Sequence, residues 1–518
     1  MEIYKDKALI VNTRRADLIL QSIPKSKLVK QYDNGVAQVI VNWGLDEVIA
    51  LSDLKVRNAP SPILKEYNFP GIHTPFEHQK ETAQFLSGHR RAYCLSEAGT
   101  GKTSAVIWAA DYLMNKGKIK RMLVVCPLSI MDTAWLQDFF KTAMHRTVGI
   151  AYGSAEKRKK ILAEDTDVVI INYDGIEVIQ KEIIESGFDL IVIDEANYVK
   201  TSTTRRWKSL NKIIKKDTWL WLMTGTPAAQ SPADAYGLAK LVNPDSVPRY
   251  AGTFKDQVMQ KISQFTWVPR PNAQDIVYRT LQPAIRFTKD ECLDLPSVLY
   301  TTREVELTAQ QKKYYAQLKK EMYIQAAGAE VTVVNAGVMM TKLLQVSAGA
   351  VYSDKQEIVE FDNSNRMTVL KEIIEEASHK VIVFAPFRHS IQKIMSELNK
   401  VKISCEAIQG DVSPSKRADI FKRFQETPHP HVLVIQPQAA SHGVTLHAAN
   451  VAVFWSPVMS VETYIQCCAR IDRAGQKNHM TVVHIQGSPV ERRIYHMLQN
   501  KIDIHTKLVD LYREEYEG

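Results

Sequence analysis

Apolar positions along this chain follow two alternating rhythms. Between about residues 76 and 240, short continuous apolar runs at 123–126, 168–171, 190–193 and 220–223 are separated by stretches with helical, 3.6-residue periodicity. Runs of this kind predict strands buried on both faces, and their alternation with helices predicts a parallel sheet. A second series, at 381–384, 432–435, 451–455 and 482–485, repeats the arrangement. The predicted fold class is therefore α/β, with two parallel-sheet lobes. From about 240 to 370 the pattern turns helical and polar, with amphipathic helices at 310–322 and 338–346.

The first 58 residues read differently, as a small α+β unit. A strand at 8–11 precedes a helix face of Ala16, Leu18, Ile19 and Ile23. Strands 28–32 and 36–41 flank Asp33-Asn34-Gly35, a good hairpin turn, and 45–51 reads as a second helix. The stretch 58–62, Asn-Ala-Pro-Ser-Pro, reads as a linker. At the other end, Ile494, Leu498, Ile502 and Leu508 mark a closing helix. The expected domains are 1–58, an accessory unit; 59–240, a first lobe; 241–370, a helical insertion and linker; 371–490, a second lobe; and 491–518, the closing helix.

Composition narrows the class. Of 518 residues, 45% are hydrophobic and 24% charged, ordinary for a folded protein. Sixty-six basic against 57 acidic residues leave a formal +9, which favours a polyanionic partner. Six cysteines without C-x-x-C spacing argue against a disulfide framework or a zinc site. No apolar run reaches the roughly 18 residues of a membrane span, and the N-terminus lacks a signal-peptide core, so a cytoplasmic protein without a membrane partner is expected.

The chemistry begins at Ser96-Glu97-Ala98-Gly99-Thr100-Gly101-Lys102-Thr103, between an apolar run and a helical pattern. Strand, glycine-rich turn and helix suit phosphate binding, because backbone N–H groups and the helix N-terminus meet the negative charge. Lys102 reaches the outer phosphates and Thr103 is placed to hold Mg²⁺. Ser96 stands where the common pattern has its first glycine. A second anchor is Asp194-Glu195, delivered at the end of the run 190–193, where ligands bind in open α/β sheets. Asp194 would join the metal shell, and Glu195 would orient or deprotonate the attacking water. Thr224-Gly225-Thr226-Pro227 ends another strand; alone it is only a loop, but its place after the acidic pair suits it to report hydrolysis. Upstream, the amide of Gln79 can pair with both edges of adenine. In the second lobe, Arg470 and Arg473 lie on one helix face and could reach a γ-phosphate as arginine fingers. Ser441 to Leu446, with Gly443 and Thr445, could touch both nucleic acid and nucleotide.

Taken together, these motifs resemble the superfamily-two motors with two RecA-like lobes, specifically the Swi/Snf-type ATP-dependent DNA translocases in a compact prokaryotic or viral form. The resemblance runs from about Pro75 to Asn500. It rests also on Cys126-Pro127-Leu128-Ser129, Arg286-Phe-Thr-Lys289 with Leu295-Pro296, Gln409-Gly410-Asp411 with Arg417, and Arg473-Ala-Gly-Gln476. It implies ATP and Mg²⁺ as cofactors. Gln79 and the loop from Glu97 to Thr103, with Gly443, Arg470 and Arg473, would hold nucleotide. Pro127, Asn172, Tyr173, Thr224, Gln409, Gly410, Ser441 and Thr445 fall where the family contacts the DNA backbone or couples the lobes. The implied partner is duplex DNA gripped without sequence preference by a monomer, with 1–58 a possible protein-docking unit. Two departures stand out: Asn197 replaces the usual histidine of the acidic box, and Ala440-Ser-His precedes Gly443 where glycines are usual. Two other readings are a strand-separating DNA or RNA helicase, for which no wedge is identifiable, and a nucleotide-gated DNA clamp, against which the intact Lys102, Glu195 and Arg470 argue.

Overall fold

The computed structural model describes residues 1–56, 58–228, 231–262, 267–292, 298–328, 333–352, 358–440, 446–472, 476–501, 511 and 515. The chain divides into two compact units. One comprises Met1–Pro227, Pro232–Met259 and Arg270–Cys292; the other comprises Ala228–Ser231, Gln260–Pro269 and Leu293–Gly518.

The first unit opens with a four-stranded antiparallel sheet in the order Glu2–Tyr4, Ala8–Thr13, Ala37–Asn42, Lys27–Gln31. Its hairpin closes at Gly35, whose φ of +77° suits a residue without a Cβ. Helices Ala16–Ser22 and Leu45–Asp53 cover one face, where Ile19, Ile23, Val48 and Leu51 pack on Leu9, Val11, Val39 and Val41. The second of these helices has two apolar faces. Leu45 and Ile49 point the other way and join Ile63, Ala83 and Leu86 in the core beneath the large sheet.

That large sheet has seven strands, all parallel, in the order Ala284–Ile285, Arg91–Cys94, Trp219–Met223, Leu190–Asp194, Met122–Cys126, Val168–Asn172, Val148–Ala151. Its central strands are buried on both faces, as their unbroken apolar runs require. The second unit holds six parallel strands in the order Val298–Glu304, Met480–Gln486, Ala449–Phe454, Lys380–Phe384, Val432–Ile435, Cys405–Ile408. Alternate residues of one strand serve opposite cores there: Ile382 and Phe384 face one, Val381 and Val383 the other. The expected two-lobed α/β class is the observed one.

Each large sheet gains an edge strand from the stretch read as helical and polar: Ala284–Ile285 in the first and Val298–Glu304 in the second. Edge strands are half solvated, so their sequence carries little apolar signal. The helices expected there are present as Ala309–Gly328 and Val333–Ala348. The closing helix begins at Pro489 and runs to Gln499; Ile502 and Leu508 lie outside the described residues.

A buried ion pair fastens the second unit. Arg366 on helix Ser364–Glu376 donates at 2.8 Å to Glu491 on helix Pro489–Gln499, with both side chains at most 2% exposed. Arg366 also donates to the Trp455 carbonyl, and Glu491 accepts from the backbone N–H groups of Gly487 and Ser488. Among the described residues, no helix is long and apolar enough to cross a membrane.

Candidate nucleotide site

Strand register builds the site in the first unit. Met223 pairs with Cys94 on one side and with Asp194 on the other, so three strands end level. The glycine-rich loop, the acidic pair and Thr224–Pro227 therefore emerge from one edge, the loop and the acidic pair about 10 Å apart with one strand between them.

The loop is shaped by two left-handed glycines, Gly99 at φ +91° and Gly101 at +75°. Gly101 caps helix Lys102–Asn115. Ala98 and Gly99 form the bend, and Thr100 closes it by donating from its hydroxyl to the Glu97 carbonyl at 2.9 Å. The Lys102 ammonium is held inside the loop by the carbonyls of Ser96 and Glu97, at 2.6 and 3.1 Å. Thr103 follows on the first turn of the helix.

Gln79 sits directly against this loop. Its Nε2 donates to the Gly101 carbonyl at 3.3 Å and its Oε1 accepts from the Phe76 N–H at 2.9 Å. His78, its neighbour on helix Glu77–Ser87, meets the Thr100 carbonyl at 2.8 Å.

Ser96 has a structural partner that sequence reading missed. Its buried hydroxyl accepts from the Phe287 N–H at 3.0 Å, while the Glu97 N–H donates to the Phe287 carbonyl and the Lys289 N–H donates to the Glu97 carboxylate. The segment Arg286 to Lys289 thus continues the edge strand alongside the glycine-rich loop. A hydroxyl at position 96, unlike a glycine, can anchor it.

The acidic pair is tightly held. Asp194 is 8% exposed; one carboxylate oxygen accepts from Trp135 Nε1 and the other from the Glu195 N–H, both at 2.9 Å. Burial pushes its carboxyl above the ordinary value, while the Lys102 charge and these two hydrogen bonds pull in the opposite direction. Glu195 has a left-handed backbone, φ +54°, uncommon for a residue with a side chain and a form of strain that gathers at functional sites. Trp135 is fully buried and lies in a helical stretch whose pattern offers no hint of this role.

Asn197 donates from Nδ2 to the Thr226 hydroxyl at 2.9 Å, and the Thr226 N–H donates to the Thr224 hydroxyl. Gly225 lies against the glycine-rich loop: a Cβ there would stand 3.4 Å from Ala98 N and from the Ser96 carbonyl oxygen. The acidic box, the Thr224–Pro227 turn and the loop are thereby linked in series.

The residues expected to meet DNA are spread along strand ends. Pro127 and Asn172 follow or end their strands, and Asn172 accepts from Arg158 at 3.0 Å. Tyr173 and Thr224 face inward. Tyr173 is 3% exposed and its hydroxyl donates to the Asp194 carbonyl at 2.6 Å, so in this structure it supports the acidic box.

In the second unit, the Gln409 and Gly410 carbonyls both accept from Arg417 at 3.1 Å, and Gln436 receives the Gly410 N–H. Arg470 is 2% exposed and its Nε donates to the Gln466 carbonyl at 3.1 Å. Gln476 staples the following turn, bonding to His447, Ala449 and Ile471 carbonyls. Ser441, Gly443, Thr445 and Arg473 lie outside the described residues, as do Leu295 and Pro296.

A glycine-rich loop level with a buried aspartate, in a chain with a second parallel-sheet unit, fits a nucleotide-hydrolysing protein. The SNF2-related domain matches residues 78–366 and the helicase conserved C-terminal domain matches 365–475. The chain belongs to the SNF2-related family of ATPases. It is 25% identical over 439 residues to the p41 protein of Acyrthosiphon pisum secondary endosymbiont phage 1, covering 80% of this chain and 92% of that one. It is 24% identical to an uncharacterized ATP-dependent helicase of Mycoplasma genitalium, covering 79% of this chain and 39% of the relative. It is also 24% identical to a SWI/SNF-related matrix-associated actin-dependent regulator of chromatin subfamily A-like protein 1 of Xenopus laevis, covering 82% and 43%. The chain thus spans under half the length of these last two relatives. The Sulfolobus solfataricus SWI2/SNF2 ATPase core in complex with dsDNA aligns over 87% of this chain and 95% of its own, at 20% identity and a TM-score of 0.41.

Proposed function

We propose that this ATPase moves along duplex DNA, gripping phosphates without reading sequence, and remodels protein–DNA or branched DNA structures. The observation that supports the reading is the serial linkage of Asn197, Thr226 and Gly225 to the glycine-rich loop, a route by which the state of a nucleotide could reach the neighbouring strand ends.

In this mechanism Lys102 leaves the carbonyls of Ser96 and Glu97 for the outer phosphates, and the N–H groups of Ala98 to Thr103 meet the rest. Gln79 exchanges its bonds to Gly101 and Phe76 for adenine. Thr103 and Asp194 would hold Mg²⁺: a hydroxyl and a carboxylate are hard oxygen donors, and the Asp194 carboxylate is buried and fixed at both oxygens, as a cation ligand should be. The metal, when bound, neutralises charge on the phosphate oxygens. Glu195 positions the attacking water and takes its proton. Arg470 and Arg473 are assigned to the charge of the γ-phosphate. Pro127, Asn172, Tyr173, Thr224, Gln409, Gly410, Ser441 and Thr445 are assigned to the DNA backbone and to coupling. The active form is a monomer working in the cytoplasm of a prokaryotic cell or virus-infected host.

ATP turnover measured side by side with no nucleic acid, single-stranded DNA, duplex DNA and RNA tests the proposal. Stimulation chiefly by duplex, with displacement of a triplex third strand and no strand separation, is expected. Strand separation would favour a helicase instead, and absence of turnover a clamp. Glu195→Gln should lower kcat by roughly 10²- to 10⁴-fold with little change in the KM for ATP.

A further inference from the structure

The N-terminal sheet carries a cavity that the nucleotide site does not use. It has a volume of about 330 Å³ and lies where strand Ala8–Thr13 runs into helix Ala16–Ser22. Asn12, Thr13, Arg14, Arg15 and Lys55 supply its polar wall, Met1, Val11 and Val56 the apolar one, and among the described residues no carboxylate lines it.

Two of its cations are set in place by the fold. The chain ends helix Leu45–Asp53 in a paired closure: the Lys55 N–H donates to the Ser52 carbonyl and the Val56 N–H to the Leu51 carbonyl. That closure puts Lys55 in the left-handed region, φ +59°, a position usually given to glycine or asparagine, and brings its side chain to the cavity. Arg15 donates from Nη1 to the Leu54 carbonyl at 3.4 Å, so the arginine and the lysine are tied to the same helix end.

The polar wall continues across the sheet. Asn12 pairs with Gln38, and Gln38 with Lys30, in adjacent antiparallel strands, so all three point to the face opposite the helices. Gln38 Nε2 donates to Asn12 Oδ1 at 3.3 Å, and the Lys30 ammonium lies 4.8 Å from the Tyr32 ring centroid. This row spans two strand spacings, about 10 Å. Asn12 belongs both to the cavity wall and to this row, and cations, amides and an aromatic ring together suit the backbone and bases of a polynucleotide.

We propose that this face is an auxiliary nucleic-acid site. Arg14, Arg15 and Lys55 receive a phosphodiester in the cavity, and Asn12, Gln38 and Lys30 guide the adjoining strand. Helix Leu45–Asp53 packs into both the small sheet and the large one, so the site is carried by the ATP-binding unit as one body. The ligand class rests on the DNA-translocase reading; the site itself does not depend on ATP turnover.

The test uses the full chain and the variant Arg14→Gln/Lys30→Gln/Lys55→Asn, in which asparagine suits the left-handed backbone. Fluorescence anisotropy is recorded against a short duplex, a single strand of equal length and inorganic phosphate as competitor, over a salt series. The proposal expects roughly tenfold weaker binding of a polynucleotide and a salt slope shallower by about 2 to 3, one step per lost phosphate contact. Whichever strand form loses more identifies the natural ligand. The melting temperature and kcat at saturating DNA should be unchanged. Unchanged affinity and slope for both strand forms would overturn the proposal, as would a loss confined to inorganic phosphate. A protein whose ATPase ignores DNA yet shows the anisotropy loss would sink the translocase reading and leave this site standing.

Discussion

The Ser96 hydroxyl accepts a hydrogen bond from the Phe287 N–H at 3.0 Å across 191 residues of chain. The residue that breaks the usual glycine pattern of the loop is thus the one that fastens the edge strand beside it. Ser96→Ala leaves that N–H without its partner and should cost about 1–3 kcal/mol. Ser96→Gly, although closer to the common motif, should cost no less. Chemical denaturation followed by tryptophan fluorescence measures both, and a rise in the KM for ATP should accompany the loss.

Gly101 and Gln79 make a second coupled pair. A Cβ at position 101 would stand 2.0 Å from Gln79 Nε2, and the backbone there is left-handed. Gly101→Ala should cost about 1–2 kcal/mol for the backbone alone, and more for the collision. Gln79→Ala removes the collision but not the backbone strain. In a double-mutant cycle the pair should therefore be less destabilised than the sum of the singles.

The stability of the first unit should carry the titration of Asp194. Burial raises its carboxyl above the ordinary value of 3.8. A group raised on folding contributes most below its unfolded value and loses that contribution as pH rises through the folded one. Asp194→Asn abolishes this loss. The difference in melting temperature between wild type and variant should shift in the variant's favour as pH climbs above the ordinary carboxylate value of 3.8. Activity should vanish in the same variant, separating what the carboxylate costs the fold from what it gives the chemistry.

Arg366 and Glu491 are both nearly inaccessible and bonded to each other at 2.8 Å. Removing either alone strands a buried charge, so Arg366→Met or Glu491→Leu should cost about 3–5 kcal/mol, whereas the double substitution should recover much of it. Urea titration of the four proteins reads this directly.

Legibility in the sequence followed burial. The central strands were readable because a strand covered on both faces must be apolar at every position, as in 190–193 and 220–223. The hairpin at Asp33-Asn34-Gly35 was readable because its turn chemistry is local. Strands Val148–Ala151, Cys405–Ile408, Ala284–Ile285 and Val298–Glu304 were not, because each is short or partly solvated and owes its conformation to a neighbour far away in the chain. At the site, the loop and the acidic pair announced themselves by spacing. Trp135, Phe287 and the Asn197–Thr226 bond did not, since a hydrogen bond made by a core tryptophan or a main-chain N–H leaves no periodic mark.

Helix Leu45–Asp53 gives Val48 and Leu51 to one core and Leu45 and Ile49 to another. Cutting the chain after residue 58 would therefore not trim an appendage. It would remove Leu45 and Ile49 from the core they share with Ile63 and Leu86, so a truncated ATPase should fail by unfolding before it fails in its chemistry.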